Sequence, residues 1–524
     1  MSLHRGADAL VRSLLAAGVR RVFTLSGNHI MPIFDASIGT GLELIHVRHE
    51  AAAVHMADAW GRLTGEVGIA LVTGGPGHAN AVSALYTALM AESPVVLLSG
   101  HAPSAEVGRG AFQEMRQAEM AAPATKASWT CTSANAVAAD VGRAIAAATG
   151  GRPGAVHLSL PSDVLEGACG NDSRGGSHSR EGGSPIRSAV FDAAPFLDRL
   201  LGAKRPLILT GPASLTKRGR ERMAALEAAC GIPVIGMESP RGIADPSLGA
   251  FAEVLAQADC ILLLGKRVDF TLKFGAAPAI AAECTVREID PAVPVFEAAD
   301  ALTHVALRRE PQKSSWLGEV RAATAYRPAS WNEATSDTPG HFLHPVQALR
   351  PLQALLDSHP ESVFVSDGGE FGQWAQACLS APHRIINGVA GAIGPALPFA
   401  LAARLAQPEA PVIAAMGDGT FGFHPAEIDT AVRYRLPFVA IVGNDARWNA
   451  EYQIQLREYG AARTVGTDLL PARYEEVARA FGGYGERVTD PRELLPAARR
   501  AIASGLPAVL NVMIEGVGAP VIRR

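Results

Sequence analysis

Short apolar runs recur along the chain, each followed by a turn and then a longer stretch with helical spacing. The first set is VFTL (22–25), ELIHV (43–47), GIALVT (68–73) and PVVLLSG (94–100). PLILTG (206–211), PVIGM (233–237), CILLLG (260–265) and TVREID (285–290) form a second set. SVFVSDGG (362–369), PVIAAMGDG (411–419), PFVAIVGND (437–445) and PAVLNVMI (507–514) form a third. Apolar runs without alternation suit strands covered on both faces, as in parallel sheets. Their alternation with helices predicts an α/β fold of three doubly wound domains with largely parallel sheets.

The division follows the same pattern. Residues 1–165 form one domain, 188–330 a central one and 346–524 a third. The Gly-, Ser- and charge-rich run 166–187 reads as a flexible linker, and 331–345 as a second. His178 in the first linker and His157 upstream read as solvated loop residues rather than metal ligands. The first and third sets share a rhythm without a visible sequence repeat.

Composition narrows the class. A length of 524 residues exceeds one core and fits three domains. A net charge of −4 with no basic stripe argues against a nucleic-acid partner. No apolar stretch approaches the roughly 20 residues of a membrane span, and MSLHRGADALVRSLLAAG reads as an amphipathic helix rather than a leader. The six cysteines contain no CxxC pair, which disfavours zinc or a disulfide framework. A cytoplasmic location is expected.

Two places carry chemistry. Near the C-terminus a buried run ends in Gly417-Asp418-Gly419. A helix and a further apolar run follow, and the latter ends at Asn444, 26 positions beyond Asp418. Adjacent parallel strands open their carboxyl ends into one crevice. A carboxylate and an amide oxygen there suit a hard cation such as magnesium, which takes its other ligands from phosphate, backbone and water. Gly417 and Gly419 let backbone amides approach phosphate, and Thr420 adds a hydroxyl. Near the N-terminus, VRHEAAAVHMADAWGRLTGEVGIALVTGGPGHAN places Glu50 at a helix start and a Gly-rich turn (Gly74, Gly75, Gly77) after the next run.

The first stretch resembles the thiamine-diphosphate signature, GDG followed by a paired Asn, with Gly443 in place of the first Asn. The second resembles the pyrimidine-binding domain of the acetolactate synthase, benzaldehyde lyase and 2-hydroxyacyl-CoA lyase family through Arg48, His49, Glu50, Ala53, Arg62, Gly75, Pro76, Gly77 and Asn80. The overall look is closest to the acetolactate synthase-like branch, through GDGTFGFHPAEIDTAVR and VGNDARW. That resemblance implies pyrimidine-binding, central and diphosphate-binding domains in this order. It implies thiamine diphosphate and Mg2+ as cofactors, with Asp418, Asn444 and the Ala446 carbonyl on the metal. Glu50 would face the cofactor's pyrimidine. Pro76, Asn80, Gly369, Glu370, Gly391, Ile393, Gly417, Gly419 and Thr420 would line the cofactor site, with Ile393 as the wedge that bends it.

His29 and Gln113 of AFQEMRQ are the further catalytic candidates; Arg116 stands there where the family has Asp. Asn28, Arg447, Trp448 and Glu451 fall at substrate-lining positions. In the central domain Arg267 and Asp269 match a flavin motif, but Phe270 and Thr271 do not. Those departures argue against FAD and leave open a nucleotide, a CoA tail or nothing.

The implied activity is a lyase or carboligase acting on 2-keto acids or 2-hydroxyacyl (CoA) carbonyl substrates through an enamine. A simple 2-keto-acid or oxalyl-CoA-like decarboxylase and a non-catalytic cofactor-binding paralogue are the alternatives. The family's cofactor domains come from different subunits, so a homodimer or homotetramer with the active site at the interface is implied.

Overall fold

The computed structural model describes residues 4–170, 191–336 and 342–524, in two compact units that divide at residue 190. The first unit is built on six parallel strands: β1 (Arg21–Thr24), β2 (Glu43–His46), β3 (Gly68–Val72), β4 (Val95–His101), β5 (Ser128–Thr130) and β6 (Ala155–Pro161). Their order is β2-β1-β3-β4-β6-β5. Every position of β3, β4 and β6 is buried, which is why these strands are mainly apolar on both faces. Leu10 and Leu14 of helix Gly6–Ala16 and Val141 of helix Val137–Thr149 share a core with Val96, Leu98, Val156 and Leu158. Helices Glu50–Thr64 and Pro76–Met90 pack against each other.

The second unit holds two parallel sheets. One consists of β7 (Pro206–Thr210), β8 (Val234–Gly236), β9 (Cys260–Leu264) and β10 (Thr285–Glu288), in the order β10-β9-β7-β8. The other has β11 (Val363–Ser366), β12 (His383–Ile386), β13 (Val412–Gly417), β14 (Val439–Asn444), β15 (Tyr484–Val488) and β16 (Ala508–Met513). Its order, β12-β11-β13-β14-β16-β15, repeats that of the first unit strand for strand. Three parallel α/β sheets are thus present as expected.

Four strands lacked a sequence signal. β5, β12 and β15 are sheet edges, short or polar on one face. β6 is interior, and it carries His157. That residue is fully buried in the sheet, not a solvated loop residue; its Nδ1 pairs with the Ser128 hydroxyl at 2.8 Å.

Of the expected linker 166–187, residues 168 and 169 pair with the start of the chain, through Arg5↔Ala168 and Cys169 N–H to the His4 carbonyl at 2.6 Å. The remainder from 171, with His178, lies outside the described residues, as does 337–341 of the second linker. Leu343 pairs in parallel with Ile514. Among the described residues no helix is long and apolar enough to cross a membrane.

Candidate active site

Strand order reverses between β1 and β3, and again between β11 and β13. Such reversals open a crevice at the strands' carboxyl ends. The candidate residues collect at these two places.

In the second unit, a cleft is lined by residues following β11 (Gly368, Gly369, Glu370, Phe371), β13 (Asp418, Gly419, Thr420) and β14 (Asp445, Arg447, Trp448, Glu451), together with Ile393. Helix Gly369–Cys378 starts here, and its first-turn N–H groups and dipole favour an anion. Asp367, fully buried, accepts from the N–H groups of Gly368, Gly394 and Ala396 at 2.7, 2.9 and 3.0 Å. Burial nevertheless pushes its carboxyl up to about 6. Asp367 therefore ties the Ile393 loop to β11 rather than facing a ligand. Gly391 is exposed, with Pro240 its nearest neighbour beyond the local chain. Glu370 is buried and bonded by Arg241 at 2.9 Å. Burial raises its carboxyl, and Arg241 opposes that.

The ring of Trp448 covers Gly419 so closely that a Cβ there would lie 2.7 Å from it. Arg447 turns its guanidinium to Asp468 at 3.2 Å and over the Tyr452 ring. Thr420 donates its hydroxyl to the Gly417 carbonyl at 3.0 Å.

The expected metal ligands separate in the structure. Asp418 is 2% exposed, and its Oδ2 has no donor among the described residues. The group beside it is Asp445, not Asn444. The Asp418 and Asp445 carboxyls lie within hydrogen-bond reach, and both are raised, by burial first and for Asp445 also by repulsion from Asp418. Asn444 is fully buried with its amide on Asn511 and Ala472, away from the cleft. The Ala446 carbonyl accepts the Leu469 N–H at 2.7 Å. The Asn444 amide and the Ala446 carbonyl are thus engaged elsewhere, and Asp445 is the residue whose side chain lines the cleft beside Asp418. Side chains of successive strand residues point to opposite faces, so a shift of one moves the ligand from one side to the other. Gly443, Asp445 and Arg447 share the cleft side.

In the first unit, Glu50 opens its helix behind the cap residue His49 and is 9% exposed. Its Oε2 accepts from Asn80 Nδ2 at 3.0 Å, and its Oε1 faces Gly77, where a Cβ would stand 3.3 Å away. His29 is buried, 3.2 Å from the Thr73 hydroxyl and stacked on Phe112. Burial, then the charge of His101, lowers its pKa, so the ring is neutral. Asn28 is exposed at the start of the same turn. Gln113, at φ 56°, packs on Gly75, and its buried Oε1 has no partner among the described residues. Pro76 is the first residue of its helix. Arg116 points out to Glu119. Arg62 makes a bidentate pair with the buried Asp58, a structural role.

Residues 4–120 match the N-terminal TPP binding domain of thiamine pyrophosphate enzymes, and 367–512 match their C-terminal TPP binding domain. A probable acetolactate synthase of Mycobacterium bovis is 33% identical over 98% of this chain and 96% of its own. A 2-hydroxyacyl-CoA lyase 2 of Homo sapiens is 30% identical over 98% and 90%. A catabolic acetolactate synthase of Raoultella terrigena is 30% identical over 97% and 95%.

The chain belongs to the thiamine pyrophosphate enzyme family. It is a thiamine-diphosphate-dependent enzyme of the acetolactate synthase and 2-hydroxyacyl-CoA lyase type. The residues present fit the cofactor: a glycine-lined cleft at a helix start for the diphosphate, and a buried carboxylate at the other candidate crevice.

Three residues of this thiamine enzyme escaped the sequence reading. Asp445 was hidden behind Asn444. Phe371 fills the space over Gly443, where a Cβ would fall 2.5 Å from its ring, so no side chain fits at that position. Gln117, fully buried, accepts from Gly75 N–H at 2.8 Å and donates to Gly100 O and Ser159 Oγ at 3.0 and 3.1 Å. Nothing in the sequence marked it except its place at the end of AFQEMRQ. In the central sheet, Lys266 is buried and donates to Thr271 at 2.7 Å, and Thr271 N–H donates to Asp269. Thr271, one of the two departures from the flavin motif, thus forms a local knot with Lys266 and Asp269.

Proposed function

We propose that this enzyme cleaves or forms a carbon–carbon bond beside a carbonyl, with Mg2+ as well as thiamine diphosphate, on 2-keto-acid or 2-hydroxyacyl (CoA) substrates. The observation that carries the reading is the buried Glu50 carboxylate held by Asn80 in a Gly-rich crevice. When bound, the cofactor supplies a nucleophilic ring carbon and an electron sink. Glu50 would offer its carboxylate to the cofactor's pyrimidine and exchange a proton with it there. Neutral His29 and the unpartnered amide oxygen of Gln113 orient the substrate's polar atoms above it. Asp418 and Asp445 supply two carboxylates for magnesium, which commonly keeps one or two such ligands and completes its shell with phosphate and water. Close together in one cleft and shielded from solvent in part, they call for a cation or a shared proton.

A cavity of about 730 Å³ supports a substrate with a bulky non-reacting part. It is walled by small apolar residues such as Ala252, Ala256 and Pro278, with Arg241 and Lys273 at its edge. We assign the working form to a homodimer or larger assembly in which Glu50 of one copy serves the metal cleft of another.

Glu50→Gln should abolish turnover while leaving magnesium-dependent cofactor binding intact; surviving activity would refute the role. Pyruvate, benzoylformate, oxalyl-CoA and 2-hydroxyacyl-CoA thioesters, each with and without an added aldehyde, separate lyase, carboligase and plain decarboxylase by product.

A further inference from the structure

Behind the metal cleft lies a buried polar chain with no part in the cofactor site itself. Glu475 is 3% exposed, and Asn511 and Asn444 are fully buried. Asn511 Nδ2 donates to Glu475 Oε2 at 2.7 Å and to the Ala472 carbonyl at 3.0 Å. Asn444 Nδ2 donates to Asn511 Oδ1 and to the same Ala472 carbonyl, both at 3.0 Å. The remaining end of that amide, Asn444 Oδ1, accepts the Ala446 N–H at 3.2 Å.

Ala446 has φ 54°, in the left-handed region that a residue with a Cβ rarely adopts. The bond from Asn444 secures this turn from one side. The Leu469 N–H on the Ala446 carbonyl, at 2.7 Å, secures it from the other. The turn reverses the chain directly after β14, where Asp445 lines the cleft beside Asp418. Three buried polar side chains, two on neighbouring strands and one on helix Tyr474–Ala480, cost stability unless fully paired, and apolar residues would hold these elements at less cost. These three are paired in series, and the series ends on the turn that presents Asp445.

We infer that Asn511, backed by Glu475, is a positioning residue for the metal: through Asn444 it fixes the Ala446 turn and so holds Asp445 towards Asp418. Outer hydrogen bonds of this kind typically change metal affinity by roughly 10- to 100-fold. The inference rests on Asp418 and Asp445 being the metal's carboxylates.

The test uses the full-length protein without thiamine diphosphate and titrates Mn2+ alone, followed by electron paramagnetic resonance. Asn511→Leu keeps the side chain's size and removes all three of its bonds; Mn2+ affinity is expected to fall about 10-fold. Glu475→Leu should act in the same direction. Glu475→Gln retains an acceptor for Asn511 and should restore binding close to the parent value. That rescue separates positioning from general destabilisation, and the Glu475 pair carries the test if Asn511→Leu does not fold.

Folded Asn511→Leu or Glu475→Leu protein that binds Mn2+ like the parent overturns the inference while Asp418→Asn and Asp445→Asn still weaken binding. If those two substitutions also leave Mn2+ binding unchanged, the metal assignment falls and this inference with it.

Discussion

The ring of Phe371 occupies the place that a side chain on Gly443 would need. A Cβ at Gly443 would lie 2.5 Å from the ring, and Phe371 is itself 5% exposed within the third sheet's core. The two positions form one packing unit. Gly443→Ala should destabilise the protein by about 1–3 kcal/mol through overpacking. Phe371→Ala should relieve much of that in the double variant. A double-mutant cycle by denaturant unfolding should give a favourable coupling of about 0.5–3 kcal/mol; additive effects would show that the two do not share the space.

Asn80 Nδ2 donates the hydrogen bond that holds Glu50 Oε2. Removing a donor to a charged group costs about 1.5–3 kcal/mol. Asn80→Leu should lower kcat about 10-fold or more and shift cofactor affinity less, because Glu50 remains but is no longer held. Steady-state rates beside cofactor titration by fluorescence provide the check. Equal losses in both would mean that Asn80 serves binding rather than orientation.

Gln117 joins the ends of three strands through Gly75, Gly100 and Ser159. Gly75 has φ 58°, and Gln113 lies where its Cβ would be. Gln117→Leu leaves the Gly75 N–H and Gly100 carbonyl buried without their partner, a loss of about 1–3 kcal/mol each at most. The expected result is faster hydrogen exchange confined to residues 73–80, with the exchange of β1 and β2 unchanged. Unaltered exchange at 73–80 would remove Gln117 from that role.

Acid should loosen the first unit through its buried histidines. His78 and His157 face each other with ring centroids 4.5 Å apart. Burial lowers His78 to about 4 and His157 well below its ordinary value. In the unfolded chain both titrate near 6.5. Between those values the unfolded state binds more protons, so stability rises with pH and is lost as pH falls below about 6.5. For His78 the full effect is about 3 kcal/mol at most. Thermal unfolding of the parent between pH 5 and 7.5 should show a falling midpoint on the acid side. His78→Phe should flatten that slope; an unchanged slope would assign the acid sensitivity elsewhere.

Most strands were legible as apolar runs because both faces of a parallel sheet are covered. Those that were not legible sit where that reason fails. β5, β12 and β15 are edges, and β6 carries His157 because His78 and Ser128 supply polar company inside the sheet. That company comes from residues distant in the chain, so no local window shows it.

Glu50, Asn80, Asp418 and the glycine turns were readable because short-range rules act on them: a helix start, a strand end, a turn that admits no Cβ. Local sequence therefore determined the fold class, the two crevices and the residue types that meet in each. Tertiary structure decided what depends on direction. Alternation along β14 turns Asp445 into the cleft and Asn444 to Asn511. Packing across the third sheet pairs Phe371 with Gly443. The matching strand orders of the first and third sheets arise from where strands dock, which no single segment encodes. A side chain's identity is local, but the face it presents follows from register, and register is set only when the strands pair.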